Sequence, residues 1–168
     1  MSWLVADAES RHELLSLHPP LAADHQRLLD EVWASSLDSC LLEYCRLRTA
    51  TLLANAVAWN EPRSKAAVDA GLDESLVAEL AQWPTHSGFD AAARSCLGLA
   101  EQYVIDVHGI TDDQVAELEG HIGPDGVITL TTALAFGSSR PPLSGVRAQE
   151  VAVDYEEVGH YRLTSSDS

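Results

Sequence analysis

"LLEYCRLRTATLLANAVAWNEP", residues 41–62, decides the fold. Its apolar residues Leu41, Leu42, Cys45, Leu52 and Leu53 recur at helical rather than alternating spacing. Asp38 or Ser39 stands where an N-cap belongs. Glu43, Arg46 and Arg48 lie within that helix, followed by the small residues Thr49, Ala50 and Thr51 and then by Asn55, Ala58 and Pro62. The residue before a proline resists helix, so a break is expected around Ala58 to Pro62.

The same periodicity extends outward from this stretch. Leu14, Leu15 and Leu17 suggest a short first helix, which "HPP" at 18–20 should close. Leu21 to Ser35 reads as the next helix. After the break, a short helix runs from about Arg63 to Ala70 and stops at Gly71, a natural C′ residue. Asp73 caps "ESLVAELAQW", and "PTHSGF" is a loop. Asp90 opens a long helix through about Val107, ended by Gly109. Thr111 and Gln114 form a capping box for "DDQVAELEGHI". "PDG" is a turn, and "VITLTTALAF" reads as a closing helix. From Arg140 onward the periodicity fades, with "VAVDY" a short strand or packing segment inside a polar tail. The expectation is an all-α bundle of six or seven helices, with one domain over 1–145 and a C-terminal tail over 146–168.

Composition narrows the classes of function. With 168 residues and 46% hydrophobic content, the chain can bury one real core. Twenty-six acidic against ten basic residues give a net charge of −16, which repels nucleic acid and anionic membrane surfaces. The beginning "MSWLVADAESRH" lacks a basic leader region, and no run approaches a membrane span of about 18 apolar residues. Cys40, Cys45 and Cys96 are an odd, unpaired set. A cytoplasmic, reduced protein is expected, without nucleic-acid or membrane partners. Gly-rich phosphate loops, nucleophile elbows and dinucleotide fingerprints are absent from the sequence.

The blocks "LLEYCRLRTATLLAN", "AAVDAGLDESLVAELAQW", "FDAAARSCLGLAEQYV" and "ITDDQVAEL", with the apolar helix that closes at Arg140, follow one another in an order that resembles a known family. It is the carboxymuconolactone decarboxylase family, in its alkylhydroperoxidase D-like branch, and the resemblance covers roughly residues 20 to 145. The family pattern runs from a Glu through an Arg-x-Arg small-residue helix to Cys-x-x-Cys-x-x-x-His. Glu43 matches the Glu, while Asn55, Ala58 and Pro62 stand where the two cysteines and the histidine would be. The resemblance implies the all-helical fold, a pocket near Glu43 and assembly into a homo-oligomer. Thiol peroxidase chemistry needs an attacking thiolate and a resolving thiol, and Asn55 and Ala58 supply neither.

The candidate site follows from these positions. Glu43 is the expected acid or base if it lies at a pocket floor, although pairing with Arg46 or Arg48 is equally open to it. His108 is the second catalytic candidate. It is seven residues from Glu101 and so shares a helix face with it, while a place in the last turn would also suit the helix dipole. Asn55, Trp59, Tyr44, Glu101 and Asp106 are candidate substrate-binding residues, with Trp83 a further aromatic that can line the same pocket. A metal held by Glu101, Asp106, His108 and His121 would need ligands from different faces, so no metal and no cofactor are expected. Cys45 falls on the apolar stripe, where a cysteine behaves as a small hydrophobe. Three functions stay open: a non-redox small-molecule enzyme (proton transfer, decarboxylation or isomerisation), a weak peroxidase using a displaced thiol, or a silent ligand-binding oligomer.

Overall fold

The computed structural model describes residue 15 and residues 17–137. The tail expected over 146–168 and most of the helix expected at Leu14–Leu17 lie outside the described residues. Among the described residues there are seven α-helices and two 3₁₀ turns, and no strand. No helix among them is long and apolar enough to cross a membrane.

Helix α1 spans Pro19–Trp33. "HPP" therefore opens a helix rather than closing one. Proline fits the first turn because the N–H groups there have no intrahelical acceptor to lose. His18 completes the cap, its Nδ1 accepting the Leu21 N–H at 3.2 Å.

Helix α2, Ser39–Leu52, is the axis of the molecule. The Asp38 carboxylate caps it, accepting the Cys40 N–H at 2.7 Å. Leu42, Glu43, Tyr44, Cys45, Leu47, Thr49 and Ala50 are all buried. Buried residues thus face every direction around this helix, which marks a helix wrapped by its neighbours rather than a surface amphipathic one. Two polar members of that set are accommodated locally. Thr49 donates its hydroxyl to the Cys45 and Arg46 carbonyls at 3.0 and 2.9 Å, and Glu43 meets Arg46.

The expected single break after α2 is two breaks. Ala54 adopts a left-handed backbone (φ 51°), and Asn55 then opens a separate helix α3, Ala56–Asn60. The Asn55 side chain accepts the Ala58 N–H at 3.0 Å, which makes it an N-cap. Helix α3 ends at Glu61, whose extended backbone is what the following proline demands.

Ser64 caps α4, Lys65–Asp69, and Gly71 follows it with φ 89°, as the sequence indicates. Asp73 caps α5, but α5 covers only Glu74–Ala78, and a 3₁₀ turn over Leu80–Gln82 replaces the rest of the expected helix. Val77 of α5 and Leu80 of the 3₁₀ turn are both buried in the core.

Helix α6, Ala91–Ile105, is capped by Asp90 and stops two residues early, with a 3₁₀ turn at Val107–Gly109. Helix α7 spans Asp112–Gly137 behind the expected capping box, in which Thr111 N–H donates to Gln114 Oε1 at 2.9 Å. It bends at Gly123 (φ 71°), and Pro124 starts the second half. The "PDG" turn is thus a kink: glycine ends one helical run and proline begins the next.

Helix α6 packs against both α2 and α7, and α1 lies on α7. Their shared core contains Leu42, Leu47, Leu97, Leu118, Leu130 and Phe89, each at most 3% exposed.

Candidate functional site

Three residues of α2 face different surroundings, and that divergence organises the polar chemistry. Glu43 is fully buried at 0% exposure. Arg46, one turn on, donates Nη2–H to Glu43 Oε1 at 2.6 Å and Nε–H to Oε2 at 3.1 Å. This is a two-bonded fork that occupies both carboxylate oxygens. The remaining nitrogen, Nη1, donates to the Ala58 carbonyl of α3 and stands 3.7 Å from Glu61 Oε2. Arg48 points elsewhere. It pairs with Glu101 of α6, which also accepts the Trp83 indole N–H at 2.7 Å.

Arg46 and Glu61 form the polar side of a cavity of about 130 Å³. The other walls are apolar: Val32 and Trp33 from α1, Leu42 and Cys45 from α2, and Leu130 and Leu134 from α7. Glu43 stands behind Arg46 and does not line this space. An apolar chamber with a few convergent polar groups is the usual form of a small-molecule site. What the arrangement provides is a place for an apolar group, a clamped guanidinium and one largely exposed carboxylate.

The residues expected to form a site are dispersed around this centre. Tyr44 is buried edge-on against Phe89, with ring centroids 5.6 Å apart. Asn55 uses its side-chain oxygen as a helix cap, and Trp59 lies under the Arg63 guanidinium at 5.6 Å. Glu101 belongs to the Arg48 and Trp83 cluster. Asp106 ends α6, its N–H bonded to the Gln102 carbonyl at 2.8 Å, and its own carbonyl accepts the Gln102 side chain at 2.8 Å. His108 is exposed in the 3₁₀ turn. Because α6 has already ended at Ile105, Glu101 and His108 do not share a helix face, and that expectation is corrected. Tyr44 belongs to the core, and Trp59 and Trp83 pack against that same core.

Sequence reasoning missed Glu61 and the α1 and α7 walls. A carboxylate just before Pro62 was legible as a fixed, extended position. Its approach to Arg46, however, depends on the second break at Ala54.

The thiols are suited to packing. Burial pushes Cys96 up to about 12, with the charges of Asp90 and Asp38 adding to it. Burial holds Cys45 well above the ordinary thiol range, and Cys96 reinforces this. Cys40 is raised by burial and then by Asp38, and its Sγ donates to the Ala67 carbonyl at 3.7 Å. The attacking species of a thiol is the thiolate, which all three environments disfavour. All three cysteines are free. Among the described residues no group of three His, Cys, Asp or Glu side chains is arranged to hold a metal ion.

Comparison with known proteins gives a clear fold and no family membership. No family model matches the chain. A solved protein of unknown function from Agrobacterium tumefaciens, whose description suggests an antioxidant-defence protein AhpD, superposes with a TM-score of 0.65. The alignment is 17% identical and covers 79% of this chain and 89% of that one. This establishes the AhpD-like all-helical fold. By sequence, the chain is similar to an argininosuccinate lyase of Corynebacterium jeikeium, 29% identical over 138 residues, 78% of this chain and 28% of the other. It is also similar to an argininosuccinate lyase of Streptomyces avermitilis, 35% identical over 91 residues, 50% of this chain and 18% of the other. The chain therefore spans less than a third of the length of the curated relatives it matches.

Proposed function

We propose that this chain acts on a small molecule without thiol redox chemistry, binding it in the cavity between α1, α2 and α7. The observation that carries this reading is the joining of an apolar chamber of about 130 Å³ to the clamped Arg46 and the exposed Glu61. The absence of cysteine and histidine at positions 55, 58 and 62 removes the peroxidase set that the resemblance would otherwise imply. The buried, protonated Cys45 and Cys96 do not replace it.

Chemistry available here is acid–base: proton transfer, or the decarboxylations and isomerisations that depend on it. Glu43 enters this reading as the residue that fixes Arg46, since both its oxygens are engaged by the guanidinium. Glu61 is the carboxylate with a free approach, 60% exposed at the cavity edge. The exposed Leu21, Ile105 and Ile128 support a homo-oligomer, which light scattering would reveal as a mass above the 18.1 kDa of one chain.

The test is binding at the cavity wall. In ¹H–¹⁵N spectra the Trp33 indole signal should shift with one-ring neutral probes such as benzyl alcohol, and Ala133→Phe, which fills the chamber from α7, should abolish the shift. Probes that leave Trp33 untouched while perturbing another region would defeat the reading.

A further inference from the structure

Resting on the small-molecule reading above, we infer that the cavity selects a compact one-ring or similarly sized apolar group carrying an ammonium, with Glu61 receiving the cation. Size comes first. A chamber of about 130 Å³ is close to the engineered apolar cavity of about 150 Å³ that takes up benzene. It holds one ring and little more.

Charge decides the rest. Two carboxylates, Glu43 and Glu61, converge on the single guanidinium of Arg46. Glu43 takes the short two-bonded contact and neutralises Arg46 behind the wall. Glu61 is left with one loose approach at 3.7 Å and most of its surface in solvent. One negative charge is therefore uncompensated beside the apolar chamber. Arg46 has no equivalent freedom, since three of its nitrogens are already directed at Glu43 and the Ala58 carbonyl.

A ligand carboxylate entering here would compete with Glu43 for Arg46 and meet Glu61 as a like charge. A ligand ammonium would meet the exposed Glu61 carboxylate with its ring in the chamber. The chain's net charge of −16 acts in the same direction, concentrating cations near the surface.

Three probes of one size separate the possibilities: benzylamine, benzyl alcohol and benzoate, titrated against the full chain and read at the Trp33 indole. Benzylamine should bind about fivefold tighter than benzyl alcohol, the attraction of one exposed charge pair at contact distance. Benzoate should bind weakest. The benzylamine advantage should shrink as salt is raised. Glu61→Gln, at an exposed position, should erase that advantage. Equal binding of amine and alcohol, tighter binding of benzoate, or an advantage that survives Glu61→Gln would each overturn the ammonium assignment while leaving the cavity reading intact. Failure of all three probes to reach Trp33 would overturn both.

Discussion

Replacing Arg46 by methionine should be the most damaging single change on the polar side of α2. Methionine keeps the unbranched stem and its apolar packing, so the loss is confined to the guanidinium. Glu43 would then be left with two carboxylate oxygens at 0% exposure, both now bonded only to Arg46. Removing one partner of a buried ion pair costs about 3–5 kcal/mol, because the remaining charge is desolvated without compensation. Glu43→Gln should cost less, about 1.5–3 kcal/mol, the range of a hydrogen bond to a charged group. The reason is asymmetry. Arg46 keeps 16% exposure, the Ala58 carbonyl and Glu61 when Glu43 is neutralised. The double variant Glu43→Gln/Arg46→Met should lose less than the two single losses added, with a coupling of about 1–3 kcal/mol. Urea unfolding followed by circular dichroism measures all three, provided the slope against denaturant stays constant. A cost below about 1 kcal/mol for Arg46→Met, or a larger cost for Glu43→Gln than for Arg46→Met, would refute the buried-fork geometry.

Backbone, thiol and redox predictions complete the set. Ala54→Gly should stabilise the chain by about 0.5–1 kcal/mol, because φ 51° strains alanine but not glycine. Gly123→Ala should destabilise by about 1–2 kcal/mol although no atom would meet the added Cβ within 4 Å. Shifts of the same sign at both positions would contradict the assigned backbone. The raised thiols give a definite alkaline signature. Below pH 9 both folded and unfolded Cys96 are protonated. Between 9 and about 12 only the unfolded form loses its proton, so stability should fall by about 1.4 kcal/mol per pH unit for this thiol. Cys96→Ala should reduce that slope, and an unchanged slope would speak against a buried, protonated thiol. With a dithiol reductant, the protein should consume alkyl hydroperoxide no faster than a Cys45→Ser control, and turnover lost on that substitution would restore the displaced-thiol function.

Local chemistry was readable where a cap or a proline settles it. Asp38, Asp73, Asp90 and the Thr111–Gln114 pair each start a helix at the expected place, because each satisfies a specific unpaired N–H. Gly71 likewise stops α4 where a left-handed residue is needed. The errors arose where tertiary packing chose between locally similar options. Prolines 19 and 20 can end one helix or begin another. Ala54 is an ordinary helix former that the chain nonetheless turns left-handed to start α3. The resemblance pointed to Glu43, and its burial agrees with an unusual position. Its partner was among the open alternatives, since Arg46 and Arg48 are both near in sequence. Arg46 meets Glu43 within α2 and reaches the Ala58 carbonyl of α3, while Arg48 meets Glu101 of α6, and only the last two contacts depend on how the helices pack. The cavity was illegible for the same reason. Its walls come from residues 29 to 134, and no local pattern joins them.

A crystal structure of the chain pressurised with xenon tests the central claim most directly, since xenon enters apolar chambers of this size. The account predicts a xenon atom among Val32, Leu42, Leu130 and Leu134, with Arg46 beside it still forked onto Glu43. A closed, xenon-free interface between α1, α2 and α7, or an Arg46 turned away from Glu43, would contradict it.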